Sequence, residues 1–398
     1  MNRVYLDRIA AAPLEPEALE AMLPFLRESF GNPQSLHREG RQAAEAVDEA
    51  RERVAALIGA ESSEVYFTAS GTEANNMAVK GLALAGAGKG RHIVVSAVEH
   101  VSVLNPARSL ERQGFKVTVV PVDGTGMVNP ADVEAAITPE TALVSVIMAS
   151  SEVGTVEPVA EIAAVCRGRG VLFHTDAVAA AGSIPIDVRR IGADALSLAA
   201  GQFSGPKGAA ALFLRKGARL QPLVEGGNQE SGRRGGTENV AAIVGMGKAA
   251  ELALKNMAAR NAALIPLRDR LLGELPRRVE HTVVTGSLEH RLPYHASFCV
   301  GFVEGESMLL SLDMKGVAAS SGSACTSKSL KVSHVLLAMG LDHATAQGSL
   351  IFSLPNGADA EGVERVLEAL PPAVERLRAM SPLYTEYLKG KGQSDVHR

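Results

Sequence analysis

The chain has no tryptophan, and aromatic residues fill only 4% of its 398 positions. Its core must therefore be built from Ala, Val, Leu and Ile, and a stacking platform for nucleic-acid bases is not expected. A basic excess is also missing. Forty Lys and Arg stand against forty-four Asp and Glu, a net charge of −4. Nucleic acids and anionic membranes recruit positive surfaces, so neither is expected as a partner. No apolar run reaches the length of about 18 residues that spans a bilayer. Met1 to Leu6 lack the basic flank and apolar stretch of a signal peptide. Cysteines are few: Cys166, Cys299 and Cys325 are odd in number, far apart and outside any CxxC spacing. That argues against a disulfide framework or a zinc site and fits a reducing cytoplasm, while leaving room for one reactive thiol.

Apolar residues make up 46% and charged residues 21%, enough for a sizeable core. The length suggests two or three domains, or one large domain with an appendage. Helical and strand patterns alternate through the first 260 residues. Helices are predicted over 39–58, 71–86, 101–113 and 157–168, and strands at 65–68, 92–96, 143–148, 171–174 and 195–198. Continuous apolar strands such as Leu143 to Met148 are expected where both faces are covered. The pattern predicts an α/β fold with a mostly parallel central sheet and helices on both faces. Near residue 260 the register changes: a long helical stretch (238–280) is followed by short strands and a last helix near 360–380. We therefore expect an N-terminal segment, 1–15, packing on a small α+β domain, 259–398, and a large domain, 16–258.

Three constellations could carry chemistry. Thr68-Ala69-Ser70-Gly71-Thr72-Glu73 follows a strand and opens a helix, so its free amides suit a phosphate, although an ordinary capped turn reads the same way. Asp176, in Phe173-His174-Thr175-Asp176-Ala177, ends a buried strand, where open α/β sheets bind ligands. It could hold a pyridinium proton or simply cap a helix. Ser320 to Ser327 is a small polar stretch around Cys325, the setting of an accessible thiol.

Together with Val4-Tyr5-Leu6-Asp7, Gly31-Asn32-Pro33, Val98-Glu99-His100, Gly205-Pro206-Lys207-Gly208, Gly236-Thr237, Val303 to Ser307 and Ser381-Pro382-Leu383-Tyr384, these motifs resemble the pyridoxal-phosphate-dependent cysteine desulfurases of the NifS/IscS type. The resemblance runs over nearly the whole chain. It implies the fold-type-I architecture of class V aminotransferases and a homodimer. It also implies His100 stacked on the cofactor ring, Asp176 at the ring nitrogen, and Gly71 and Thr72 on the phosphate, joined by Thr237 of the other subunit. Cys325 would carry the persulfide to an IscU-type iron–sulfur scaffold protein.

The chain departs from that pattern in the pocket itself. The family's Schiff-base lysine falls at Gln202, its neighbouring histidine at Gly201 and a phosphate-binding serine at Ala199. Lys207 is an additional lysine of the family pattern and no substitute. The family's Asn falls at Ser151, its Gln at Ala179, and its carboxylate-clamping Arg at Asn356. An amide can neither form an imine nor shuttle a proton. The expectation is a desulfurase-like protein whose pyridoxal-phosphate chemistry is lost or crippled and whose cofactor is weakly held or absent. Cys325 remains as persulfide acceptor or cluster ligand for a docked scaffold, with sulfur from sulfide or another donor, and a cluster shared between the two. The alternatives are an active cysteine desulfurase with a substitute base and a regulatory subunit of an active paralogue.

Overall fold

The computed structural model describes residues 3–322 and 332–394. Helix Arg38–Ile58 shows how the sequence builds its elements. Ala43, Val47, Ala50 and Val54 recur at helical spacing and are buried. His37 caps the start by accepting from Gly40 N at 3.2 Å, and Gly59 ends the helix at φ 66°, where a Cβ would be strained.

The strands, in chain order, are β1 (Val4–Tyr5), β2 (Val65–Thr68), β3 (His92–Ser96), β4 (Lys116–Val120), β5 (Thr141–Ser145), β6 (Leu172–Asp176), β7 (Ala195–Ala199), β8 (Ala210–Leu214), β9 (Thr282–Val284), β10 (His295–Val300), β11 (Val317–Ala318) and β12 (Ser349–Ser353). Seven form one sheet in the order β2-β8-β7-β6-β5-β3-β4. β4, β3, β5, β6 and β7 pair in parallel, and β8 is antiparallel to both of its neighbours. The mostly parallel sheet expected from the apolar runs is present. β8 turns against the others because the connection from Ala199 to Ala210 is too short to cross the sheet and return in the same sense. The run expected as a strand to Met148 leaves the ladder after Ser145. It still follows β6, through Val146 N to His174 O at 3.1 Å and Met148 N to Asp176 O at 2.9 Å.

A second sheet, β12-β10-β9, is antiparallel. β1 pairs in parallel with β11, and Asp7 bridges to Ser353 of β12, so the N-terminal segment lies against the C-terminal part of the chain. Helix Val240–Arg278 runs unbroken between the two parts. The boundary we propose at 258/259 falls inside it. No helix among the described residues is long and apolar enough to cross a membrane.

Candidate active site

Parallel strands present their carboxyl ends at one edge of the sheet, and the loops that leave there surround a cavity of about 250 Å³. β2 leads past Thr68 into Ser70, Gly71 and Thr72. β3 leads through Glu99 to His100. β6 ends at Asp176. β7 runs into a tight 3-10 turn, Ala200–Gln202. Ile9 and Ala10 from the N-terminal segment and Ser320 to Gly322 from the C-terminal part close the remaining wall.

The turn at Gly71 opens a continuous helix that passes through a π turn and ends at Ala85. Ser70 caps it, accepting from Glu73 N at 3.1 Å, while Glu73 Oε2 accepts from Ala69 N at 2.8 Å. The first helical bond is made by Ala74 N, which leaves the amides of Gly71 and Thr72 without a helical acceptor. Gly71 is required by space. A Cβ there would lie 2.7 Å from Val178 Cγ2.

Asp176 is buried, and loss of hydration pushes its carboxyl above the usual range. Val178 N at 2.9 Å and Asn75 Nδ2 at 2.6 Å hold its two oxygens and, with His100 nearby, pull the other way. Asn75 Nδ2 also donates to Ser102 Oγ at 2.8 Å, and Ser102 Oγ lies 2.6 Å from His100 Nδ1. One polar chain therefore links the His100 ring to the Asp176 carboxylate. Behind it, Glu99 is buried, accepts from Ser96 Oγ and Ile147 N at 2.6 Å each, and is pushed up to about 8 by burial. Glu152 on the cavity wall is likewise raised, to about 7, by burial against its bond from Ser333.

Gly71, Thr72, His100, Ser151, Asp176, Ala179 and Gln202 all line this one cavity. Ala199 lies just behind Gly71, with its Cβ 3.5 Å from where a Gly71 Cβ would stand. Gly201 gives its carbonyl to Ala12 N at 3.1 Å rather than a side chain to the pocket. Asn356 is not at the wall. Its Nδ2 donates to Glu15 Oε1 at 3.1 Å and Ser204 Oγ at 3.2 Å. Thr237 is exposed and does not line the cavity of its own chain, and Lys207 is exposed as well. Cys325 lies outside the described residues. The sequence reading missed Asn75 and Ser102. A signal for Asn75 was present, because it stands four residues after Gly71 and so shares its helix face.

Gln202 decides what the cavity can hold. Its Nε2 donates to Ile9 O at 2.8 Å, and its Oε1 is buried without a partner. No lysine lines the cavity among the described residues. A phosphorylated pyridine finds a carboxylate for its ring nitrogen, an imidazole beside the ring and helix amides for its phosphate. It finds no amine with which to form an imine. These residues do not fit a covalently held pyridoxal phosphate.

Residues 4–366 match the family described as aminotransferase class-V. The chain is 46% identical to cysteine desulfurase IscS of Dictyoglomus turgidum, over 97% of this chain and 98% of that one. It is 47% identical to cysteine desulfurase IscS of Clostridium botulinum, over 98% and 99%. Among solved structures, a NIFS-like protein superposes with a TM-score of 0.88 at 34% identity, over 94% of this chain and 100% of that one. SspA in complex with cysteine superposes with a TM-score of 0.78 at 33% identity, over 89% and 99%. With the parallel sheet, the cavity at its carboxyl edge and these relatives in agreement, the chain belongs to the IscS/NifS cysteine desulfurase family, pyridoxal-phosphate-dependent class V aminotransferases of fold type I.

Proposed function

We propose that this protein serves iron–sulfur cluster assembly as a desulfurase-like homodimer that no longer takes sulfur from cysteine itself. The observation that carries the reading is Gln202. It stands at the family's lysine position, with its amide bound to Ile9 O, in a cavity without a lysine among its described lining. A carboxamide is neither a nucleophile nor a base near neutral pH, so proton shuttling at this position is lost with the imine.

The reactive group is the Cys325 thiol. The other two cysteines, Cys166 and Cys299, are buried, and burial pushes each up to about 12. The nearest described positions on either side, Gly322 and residues from 332 on, include two anchors beside the cavity: Gly322 N donates to Ser349 Oγ at 3.0 Å, and Ser333 Oγ donates to Glu152. Cys325 accepts sulfane sulfur from a persulfide on another protein. The donor leaves as a thiolate, so the transfer needs no oxidant, and the thiol can equally ligate iron on a docked scaffold. The docking surface is the apolar hollow of about 800 Å³ beside helix Pro382–Ser394, lined by Phe302, Leu377 and Leu383. The partner it takes is an IscU-type scaffold protein.

The test is made on the purified protein with added pyridoxal phosphate and L-cysteine, and then with scaffold, iron and a persulfide donor. No sulfide is expected in the first mixture. Cluster yield in the second is expected to fall with Cys325→Ser. Sulfide release at the rate of an ordinary enzyme, or a cluster yield indifferent to Cys325→Ser, overturns the proposal.

A further inference from the structure

The stretch 323–331, which carries Cys325, is flanked by Gly322 and Val332. Its two stems meet at one side chain, Glu152. That residue belongs to the turn after β5 and lines the cavity. Its Oε2 accepts from Ser333 Oγ on the far stem. On the near stem, Gly322 passes so closely that a Cβ there would lie 2.7 Å from the same oxygen and 3.2 Å from Ser333 Cβ. Each stem is then held by a different part of the chain. Ser320 pairs with Ile351 of β12 through bonds of 3.1 and 2.7 Å, and Gly322 N donates to Ser349 Oγ at 3.0 Å. Ser333 caps helix His334–Ala338 by accepting from Leu336 N at 3.2 Å, and His334 Nε2 meets Glu99 O at 2.9 Å. The second sheet, the start of that helix and the cavity wall therefore come together at the Glu152 carboxyl.

We infer that Glu152 is a positioning residue for the Cys325 thiol: its carboxyl ties both stems to the cavity wall and so sets the aim of the thiol at a docked acceptor. The inference rests on the reading that Cys325 is the working thiol. A stretch anchored at both ends has fewer arrangements open to it than one anchored at a single end. Passing sulfur to another protein requires the incoming thiolate in line with the bond that breaks, so it feels that restriction. A small reagent in solution can approach from many sides and feels it little.

The carboxyl adds a pH signature. Burial, opposed by the Ser333 bond, lifts Glu152 to about 7. The titratable groups around it are His100 and Asp176 on the cavity wall, His334 beside Ser333, and His295, whose Nε2 lies 2.9 Å from Ser151 O. Burial holds His295 and His334 below the ordinary imidazole value. Released from the clamp, Glu152 would return to the ordinary value of ~4.3. Between the two values the clamped form keeps a proton that the released form has lost. The clamp is therefore strongest below the lower value and weakens as pH rises to the upper one, by up to about tenfold per unit.

The test loads Cys325 with glutathione persulfide and follows passage of the sulfur to a cysteine of an IscU-type scaffold by mass spectrometry. In loading, the Cys325 thiolate attacks the outer sulfur and glutathione leaves as a thiolate. In passage, the scaffold thiolate attacks the outer sulfur on Cys325, which leaves in turn, so neither step consumes an oxidant or a reductant. Glu152→Ala should slow passage about tenfold while changing loading by less than about twofold. Glu152→Gln keeps an acceptor for Ser333 and should restore passage. It has no proton to lose, so the ratio of native to Glu152→Gln rates should fall between about pH 6 and 7.5. Unslowed passage in Glu152→Ala, loading slowed as much as passage, Glu152→Gln no better than Glu152→Ala, or a ratio flat with pH overturns the inference. Should Glu152→Ala not fold, Ser333→Ala removes the same bond from the other side and decides. Passage that persists in Cys325→Ser defeats the proposed function, whereas passage lost there but unslowed in Glu152→Ala defeats only this inference.

Discussion

Alkylation of the native protein should modify Cys325 far faster than the other two thiols, and the margin follows from where those two sit. Cys166 lies on the inner face of helix Val159–Gly168 beside Ile162, and Cys299 lies in β10. Both are fully buried, and desolvation raises each to about 12. At pH 7.5 such a thiol is ionised to roughly 3 parts in 100,000, whereas a thiol at the ordinary value of ~8.5 is ionised to about one part in ten. The ratio of thiolate is about 3,000. A more basic thiolate is intrinsically the better nucleophile. With a slope of about 0.4–0.5 over ~3.5 units, that returns roughly 40-fold. The net advantage is about a hundredfold before access is counted, and burial widens it, because the protein must open locally to expose either sulfur. Iodoacetamide labelling followed by peptide mass spectrometry measures the three rates in one sample, and a denatured sample, in which all three should react alike, gives the reference. Native Cys166 or Cys299 labelling within tenfold of Cys325 would refute the reasoning, and with it the assignment of Cys325 as the working thiol.

Stability should fall as pH rises from about 6.5 to 8. Burial lifts Glu99 and Glu157 to about 8, so between the unfolded carboxylate range and that value the folded chain keeps protons that the unfolded chain has lost. Stability is full below the unfolded value and is lost on the way up, at up to ~1.4 kcal/mol per pH unit for each group. His174 and His295, held down to about 3 by burial, act in the opposite sense, but only where the unfolded chain takes up protons, below about 6.5. Glu157→Gln keeps an acceptor for Val128 N and needs no proton, so thermal unfolding across this range should show a shallower slope; an unchanged slope counts against a protonated Glu157. Gly71→Ala should lower stability by about 1–3 kcal/mol through overpacking on Val178, with Val178→Ala restoring most of it; an unaltered Tm in Gly71→Ala would contradict the close approach. Gln202→Lys with added pyridoxal phosphate should yield colour without sulfide. Asn356 is turned to Glu15 and Ser204, and Ala199 has no hydroxyl, so at least two charge-assisted bonds of about 1.5–3 kcal/mol each are missing. Turnover of about 1 per second or faster in that variant would refute a pocket altered at several positions.

Much of this architecture could be read from the chain because its signals are local. The runs read as strands at 65–68, 92–96, 171–174 and 195–198 fall in the central sheet, the third and fourth with ends moved by one or two residues, and the run Ala43, Val47, Ala50, Val54 lies in a helix. Gly71, His100, Asp176 and Gln202 were gathered into one site by the family resemblance, since alone the Gly71 turn and Asp176 read equally well as helix caps; in the structure, strands paired in parallel bring all four to one edge. What could not be read was set by partners distant in sequence. Nothing within a few residues of Asn356 reveals that its amide goes to Glu15 and Ser204. The polar link from His100 through Ser102 and Asn75 to Asp176 draws on three separate loops and helices. β5 ends at Ser145 because its ladder with β3 stops there, although the apolar run continues to Met148.

The same distance explains why a single substitution is a poor description of this pocket. Arg8 is buried, makes no ion pair among the described residues, and stacks 4.1 Å over the Tyr294 ring. Its Nη2 donates to Ser183 Oγ at 2.7 Å and to the backbone carbonyl of Gln202 at 3.2 Å. A buried guanidinium is costly to leave unpaired, and here neutral oxygens and one aromatic face carry it. A lysine at 202 would bring a second cation to the neighbourhood of Arg8, and burial with like charge would hold its ammonium below the ordinary value. Such an amine forms an imine readily, which is why colour is expected in Gln202→Lys. It also adds repulsion against Arg8, which the neutral amide avoids. Gln202 and Arg8 therefore form a coupled pair. Replacing Arg8 by Gln alongside Gln202→Lys should recover stability that Gln202→Lys alone loses, and strictly additive losses in that double-mutant cycle would show that the two sites do not sense each other.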